Sequence, residues 1–521
     1  MIPLFSVSQV RAADEFAINT LGLSGTVLME NAARSLYEEI LQNFESINKF
    51  LPVGIVCGKG NNGGDGFALA RQFLINGYNV ITISLADNTK LEGDALINFN
   101  VLKKLLNYYK ESKLIKYSSL RDLKKLDGCQ VIVDALLGTG TMGQLKPPYA
   151  SIIEKMNELK AYKVAVDIPS GLDLNNSTGQ IVFQADLTVS LAEFKTGLFY
   201  GKGYKCSGKV VKGSIGIGGE YFNQLEIQNY LSEPEDALNG VPVRDKDAHK
   251  YSAGKVLVIA GSGKMPGAAL LAANSTINSG AGAVVLAFPE TIKHIAYQKL
   301  NEVIVLAYND EGREYLTSAN LEELSEKIEW ADALVIGPGL SKNPETLQTC
   351  LQIIKKYKNK KIILDADAIQ CLSGGLFKKV ALNNVIFTPH HGEFAGLLGI
   401  TTEELQEDIL NYGKDFCKKT NAHLVLKGAP TITFTPAGEA LINSTGNASL
   451  AKFGSGDVLS GMIGGFVGAN KEIENSVISA VYIHGLISDL LIEQKSELSV
   501  SASDLIQNIT NGIKFVSNSI I

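Results

Sequence analysis

Proline is scarce in this 521-residue chain, at 14 residues against 51 glycines. No low-complexity stretch accompanies the glycine excess, so it implies many turns where backbone must come close to a ligand. The six cysteines (Cys57, Cys129, Cys206, Cys350, Cys371 and Cys417) are far apart and form no CxxC pair. They read as reduced thiols rather than a disulfide framework. No basic stripe relieves the net charge of −6, which argues against nucleic acid as a partner. No run approaches roughly 18 uninterrupted apolar residues, so no membrane span is expected. Arg11, Asp14 and Glu15 break the N-terminal stretch before a signal-like apolar core can form. The expected location is cytoplasmic.

What is present describes a globular α/β protein. Hydrophobic residues make up 45% and charged residues 20%, which excludes disorder. A chain this long exceeds one ordinary core, since cores stop growing near about 250–300 residues. Short Val/Ile-rich runs alternate with longer amphipathic stretches. In the first part the runs are Val53–Cys57, Val80–Leu85, Val131–Leu136, Lys163–Ile168 and Leu187–Leu191. In the second they are Lys255–Ala260, Ala283–Phe288, Ala333–Ile336, Lys361–Leu364 and Leu424–Leu426, with a hairpin predicted from Ile432–Thr435 and Ala440–Asn443. Continuous apolar strands separated by helices imply parallel sheets of the doubly wound kind. The polar stretch at 218–250 predicts a boundary, giving domains at 1–220 and 235–521.

After Val53–Cys57 comes Gly58-Lys59-Gly60-Asn61-Asn62-Gly63-Gly64-Asp65-Gly66, with a helix predicted from Phe67. A glycine turn between strand and helix presents free amides that favour phosphate. Two further strands end in Asp134, before Gly138-Thr139-Gly140, and in Asp167, before Ser170-Gly171. In a parallel sheet such ends lie on one edge, so these groups are expected to converge. LMENAA (28–33), GNNGGDG (60–66), VDALLGTG (133–140), VDIPSGLD (166–173) and FKTGL (194–198) together resemble the NAD(P)H-hydrate epimerase domain. The resemblance implies a Rossmann-like fold. It implies substrate contacts from Asn61, Asn62, Gly63, Gly64 and Asp65, and from Gly138, Thr139, Gly140, Thr141, Met142, Gly143 and Gln144. It further implies a K+ site at Asn62, Asp134 and Ser170, with Asp167 at the reacting ring and Lys195 nearby. An all-oxygen cage with one carboxylate suits a weakly charged hard cation.

In the second part Gly261-Ser262-Gly263-Lys264 lacks P-loop spacing, because Met265-Pro266 follows the lysine. The sharper element is Gly454-Ser455-Gly456-Asp457, a glycine turn with Asp at a helix start. Its amides can hold phosphate charge while the carboxylate draws a hydroxyl proton, as phosphoryl transfer to an alcohol requires. HKYSAGKVLVIAGS, GPGL, DADA, TPHHGEF, LKGAPT, GSGDVLSG and ASDLI occur in order. The set resembles the ribokinase-like superfamily, in its ADP/ATP-dependent NAD(P)H-hydrate dehydratase branch. It implies hydrate contacts from Ala268, Gly339, His390 and Asp457, and nucleotide contacts from Lys427, Gly428, Ala429, Pro430, Thr431 and Gly456. Mg2+ is expected on the phosphates. Where the family has a GNPGMAT-like run, this chain has Gly446-Asn447-Ala448-Ser449-Leu450-Ala451-Lys452.

Together the halves imply a bifunctional repair enzyme acting on NADH and NADPH hydrates with ADP or ATP. It would epimerise the R and S forms and dehydrate the S form, and a homo-oligomer is expected. Two alternatives remain at this point. The second half could be a conventional kinase for a vitamin precursor, or the first half a non-catalytic interaction module. The choice between ADP and ATP, and between the two hydrates, is left open.

Overall fold

The structure, a computed structural model, describes residues 1–140, 145–470 and 472–518. The chain divides into two compact units, one of Pro3–Ile227 and one running from Gln228 onward that also takes in Met1–Ile2. All six cysteines are buried and none is in a disulfide.

The first unit holds a seven-stranded sheet among the described residues: β1 (Val53–Cys57), β2 (Val80–Ser84), β3 (Lys113–Lys116), β4 (Val131–Ala135), β5 (Tyr162–Val166), β6 (Leu187–Leu191) and β7 (Lys209–Gly213). Their order is β3-β2-β1-β4-β5-β6-β7 and every pairing is parallel. The order reverses between β1 and β4, which opens a crevice at their carboxyl ends. Both strands are buried at every position, so their Val and Ile side chains pack on both faces of the sheet. Helices α1 (Val7–Asn19), α2 (Gly25–Asn43), α3 (Asn61–Ile75), α4 (Gly93–Leu105) and α5 (Tyr149–Asn157) join them. A reciprocal cap between Ser6 and Gln9 starts α1. Its Val7, Val10, Ala13 and Ala17 are buried at helical spacing, which turns Arg11, Asp14 and Glu15 away from the core.

The predicted helix start at Phe67 is corrected. Helix α3 begins at Asn61, so the asparagines, glycines and Asp65 form its first turns instead of a preceding loop. Glycine is a poor helix former, but close approach demands it here. A Cβ on Gly63 would lie 2.2 Å from the Gly58 carbonyl oxygen. Propensity loses to packing.

The second unit's sheet contains β8 (Asn229–Leu231), β9 (Lys255–Ile259), β10 (Ala283–Pro289), β11 (Ile304–Tyr308), β12 (Ala333–Ile336), β13 (Lys361–Leu364), β14 (Val385–Phe387), β15 (His423–Leu426), β16 (Ile432–Phe434) and β17 (Ala440–Ile442). From β8 the order is β8-β17-β16-β15-β14-β13-β12-β9-β10-β11. The strands from β15 to β11 pair in parallel, and β15-β16-β17 run antiparallel, with β16 and β17 forming the expected hairpin. Here the switch lies between β9 and β12.

Helices α6 (Pro266–Asn278), α7 (His391–Leu398), α8 (Ser455–Ala469) and α9 (Ile473–Ile492) matter most to this unit's site. Helices α6 and α8 pack at backbone distance through small residues. A Cβ on Gly461 would sit 2.3 Å from the Ala272 carbonyl oxygen, and Ser275 Oγ donates to the Val458 carbonyl at 2.6 Å. By length and composition α9 could cross a membrane, with mean hydropathy 1.4, but 78% of that window is buried inside the protein. It reads as a core helix.

Candidate active sites

In the first unit a cleft of about 600 Å³ opens at the β1/β4 switch. Asp134, at the end of β4, is sealed from solvent. Its Oδ1 accepts from Ser170 Oγ at 2.7 Å and from the Leu136 amide at 3.1 Å, and its Oδ2 accepts from the Ser170 amide at 2.7 Å. Ser170 Oγ in turn accepts from the Leu137 amide at 3.0 Å, and Asn62 Nδ2 donates to the Leu137 carbonyl at 3.0 Å. Asn62, Asp134 and Ser170 therefore all bond to the Leu136–Leu137 backbone. Burial pushes the Asp134 carboxyl up to about 6, with the donors from Ser170 working the other way.

Asp167 follows β5 in the left-handed region at φ 68°, and Ala192, after β6, matches it at φ 66°. Such backbone at non-glycine residues costs on the order of 1–3 kcal/mol each, and it clusters where a site needs it. The conformation brings Asp167 Oδ1 to 2.7 Å from Lys195 Nζ. Lys195 is itself buried and also donates to the Leu191 carbonyl at 2.9 Å and Ser190 Oγ at 3.1 Å. Asp14, Glu15, Asp65 and Asp94 also line the cleft. Burial first, then the charges of Asp167 and Asp14, hold Asp65 well above the usual carboxylate range. Asp14, on α1, is raised to about 6 by its packed surroundings and by Asp167, although one side of it is open to solvent in the cleft. Arg11 donates through Nε to Thr139 Oγ1 at 3.3 Å and through Nη2 to the Thr139 carbonyl.

The second unit's groups gather at the ends of β13, β14 and β15 and the start of α8. Asp365 is buried and accepts from three side chains. Its Oδ1 takes Lys427 Nζ at 2.7 Å and Thr388 Oγ1 at 2.8 Å, and its Oδ2 takes Ser460 Oγ at 2.6 Å. Burial pulls Lys427 down, but the adjacent Asp365 carboxylate outweighs it and the amine ends above its ordinary value. Gly454 initiates α8 at φ 92°, a conformation that glycine adopts without strain. The first-turn amides of the helix have no intrahelical acceptor. Asp457 sits in that turn, partly exposed, and burial plus the Asp365 charge raise its carboxyl to about 7 against the pull of Lys427. Beneath the turn, buried His484 places Nε2 3.1 Å from the Ser455 carbonyl oxygen, and desolvation lowers it to about 4.

Of the residues singled out in the sequence, Asn61, Asn62, Asp65, Gly138, Thr139, Gly140, Asp167 and Lys195 line the first cleft. Gly63 and Gly64 lie behind it, against Gly58 and Met29. Thr141, Met142, Gly143 and Gln144 fall outside the described residues. In the second unit Gly339, at φ 65°, abuts Ala268, whose Cβ lies 3.0 Å from where a Gly339 Cβ would be. The segments around His390 and Lys427 form a parallel bridge. His390 itself caps α7, with Nδ1 accepting from the Gly392 amide at 3.0 Å. Gly456 faces Lys427 Nζ, the Ala429-Pro430 peptide is cis, and Thr431 Oγ1 reaches the Gly428 carbonyl at 3.4 Å. The atypical run before α8 is anchored where Asp489 accepts from the Gly446 amide and Asn447 Nδ2, both at 2.8 Å. Sequence reasoning missed Arg11 and Asp14, whose only signal was polarity on one face of an amphipathic helix.

Comparison with known proteins covers both units. Residues 256–511 match the family described as NAD(P)H-hydrate dehydratase, and residues 25–197 match that described as YjeF-related protein N-terminus. The chain is 32% identical over 511 residues to the bifunctional NAD(P)H-hydrate repair enzyme Nnr of Moorella thermoacetica, covering 96% of this chain and 95% of that one. It is 34% identical over 493 residues to the enzyme of the same name from Archaeoglobus fulgidus, covering 94% and 95%. Among solved structures, a ribokinase-like superfamily protein from Enterococcus faecalis V583 aligns with a TM-score of 0.50 at 26% identity, over 56% of this chain and 98% of its own.

Proposed function

The chain belongs to the bifunctional NAD(P)H-hydrate repair enzymes, and from that membership we propose that each unit carries one half of the repair. The first unit epimerises the R and S hydrates of NADH and NADPH. The second dehydrates the S form at the expense of ADP or ATP. The observation that carries this reading is the contrast between two sites: carboxyls beside one buried lysine in the first unit, and a phosphate-type helix start beside Lys427 and Asp457 in the second.

Epimerisation moves protons and needs no phosphate. Asp167, oriented by Lys195, serves as a proton acceptor and donor at the hydroxyl-bearing ring carbon. Asn62, Asp134 and Ser170 are the residues that would hold K+. Asp134 supports the fit, being a solvent-sealed carboxylate with no cationic side chain within ion-pair distance among the described residues. When bound, K+ would supply positive charge beside the Asp134 carboxylate.

Dehydration needs a better leaving group than hydroxide. The first-turn amides of α8 and the Lys427 ammonium hold the nucleotide's phosphates. Asp457 takes the hydroxyl proton as the oxygen attacks the terminal phosphorus, and the shortened nucleotide departs. The ring nitrogen's lone pair then expels phosphate, and loss of a proton from the neighbouring ring carbon restores the dihydronicotinamide. Asp365 already accepts from Lys427, Thr388 and Ser460, and Mg2+ would enter on the nucleotide's phosphates, where it would neutralise their charge. Incubating pure S hydrate with either nucleotide tests this half. Dihydronicotinamide absorbance should return with one phosphate released per turnover, whereas a stable phosphorylated product would mean an ordinary kinase. Pure R hydrate without nucleotide tests the other half, which requires its conversion to the mixed epimers.

A further inference from the structure

We propose that Asp14 is a second acid–base catalyst of the epimerase cleft, working with Asp167 from a different structural element. This rests on the epimerase reading above. Inverting a carbon that carries a hydroxyl requires proton traffic on two faces of the ring. A group that protonates the departing oxygen on one face is badly placed to deprotonate water arriving on the other. Asp167 reaches the cleft from the sheet edge after β5, and Asp14 reaches the same cleft from α1, outside the sheet. The groups acting on Asp14 are Asp167, Lys195 and its own neighbour Glu15. Asp65, on α3, feels the charges of both Asp14 and Asp167, and Arg11, one turn back on α1, is engaged with Thr139. Lys195 is spent on Asp167, so no ion pair holds Asp14 among the described residues. Crowded carboxyls disfavour double ionisation, which favours one proton shared between the working pair. A substrate ring seated in the cleft would shield the exposed side of Asp14 and strengthen that preference.

In one direction the Asp14 carboxylic acid gives its proton to the hydroxyl oxygen as the carbon–oxygen bond breaks. The nitrogen lone pair becomes the second bond of a cyclic iminium ion, and water leaves. Water then adds to the opposite face: its lone pair forms the new carbon–oxygen bond, the iminium pair returns to nitrogen, and Asp167 accepts the released proton. One proton has passed from Asp14 to Asp167 with no change of oxidation state. The reverse reaction returns it, as does exchange with solvent.

The test uses the full-length chain, whose dehydration of pure S hydrate is an internal control. Asp14→Asn should lower kcat for epimerisation of R hydrate about a hundredfold, with KM and dehydration little changed. The wild-type rate should fall as pH rises through about 6, where Asp14 loses its proton, and Asp14→Asn should lack that limb. Asp14→Glu should recover most of the rate. An unchanged kcat in Asp14→Asn, a loss confined to KM, or equal loss in the Asn and Glu variants would overturn the proposal. If Asp167→Asn loses epimerisation while Asp14→Asn keeps it, the epimerase reading stands and this inference fails. If the unaltered chain does not interconvert the hydrates, both fall.

Discussion

The two units solve the same architectural problem and reach opposite electrostatic results. Each places its site at the switch point or carboxyl edge of a parallel sheet, beside a glycine-bearing helix start. In the first, Asp14 and Asp167 lie near the buried ammonium of Lys195, and the carboxyls of Asp14, Asp65 and Asp134 are pushed upward. That surplus suits holding and moving protons. In the second, the buried carboxylate Asp365 is paired with Lys427 and orients it. This leaves a cation and helix amides for phosphate and the Asp457 carboxyl for the hydroxyl proton. Fold class alone would not distinguish them; the balance of charge does.

Separating the two activities tests that contrast most severely. Replacing Asp457 by Asn should reduce dehydration of S hydrate by roughly a thousandfold or more and leave epimerisation intact, as measured by the return of dihydronicotinamide and by chromatographic separation of the epimers. Asp167→Asn should do the converse, with a loss on the order of a hundredfold. If either substitution lowered both rates equally, the independence of the two sites would fail. Next in size is Lys427→Met. Removing the cation leaves Asp365 buried and unpaired, a loss of roughly 3–5 kcal/mol, so thermal unfolding should shift down and nucleotide KM rise. Smaller is the pH effect on dehydration. A base raised to about 7 is protonated below that pH, so kcat should climb as pH passes through 7 and then level off; a rate falling over that interval would assign Asp457 another role. Smallest is replacement of K+ by a bulky organic cation, which should slow epimerisation several-fold while dehydration in the same buffer is unaffected.

Much of this was legible in the residues because the interior strands are uninterrupted apolar runs and the motifs sit at their ends. The strands that escaped were edges or very short. Lys113–Lys116 (KLIK) and Lys209–Gly213 (KVVKG) border the first sheet and carry lysines that discourage further pairing, so they lack a continuous apolar signature. Ile304–Tyr308 borders the second sheet, and Val385–Phe387 is only three residues long. The start of α3 was misplaced because helix propensity counts glycines against a helix, while the close packing of Gly63 on Gly58 is a tertiary fact. Asp365 was visible within DADA, but its partnership with Lys427 joins residues 62 positions apart. Asp14 was invisible for a subtler reason. On an amphipathic helix, a carboxylate aimed at a cleft and one aimed at bulk solvent occupy the same kind of position.

The most direct measurement follows racemic hydrate with excess nucleotide to completion in the unaltered chain and in Asp167→Asn. Two cooperating sites require full recovery of the dihydronicotinamide in the first and, on the same timescale, arrest near half in the second. Arrest near half in the unaltered chain would show a silent first cleft, and no recovery at all would remove the dehydratase.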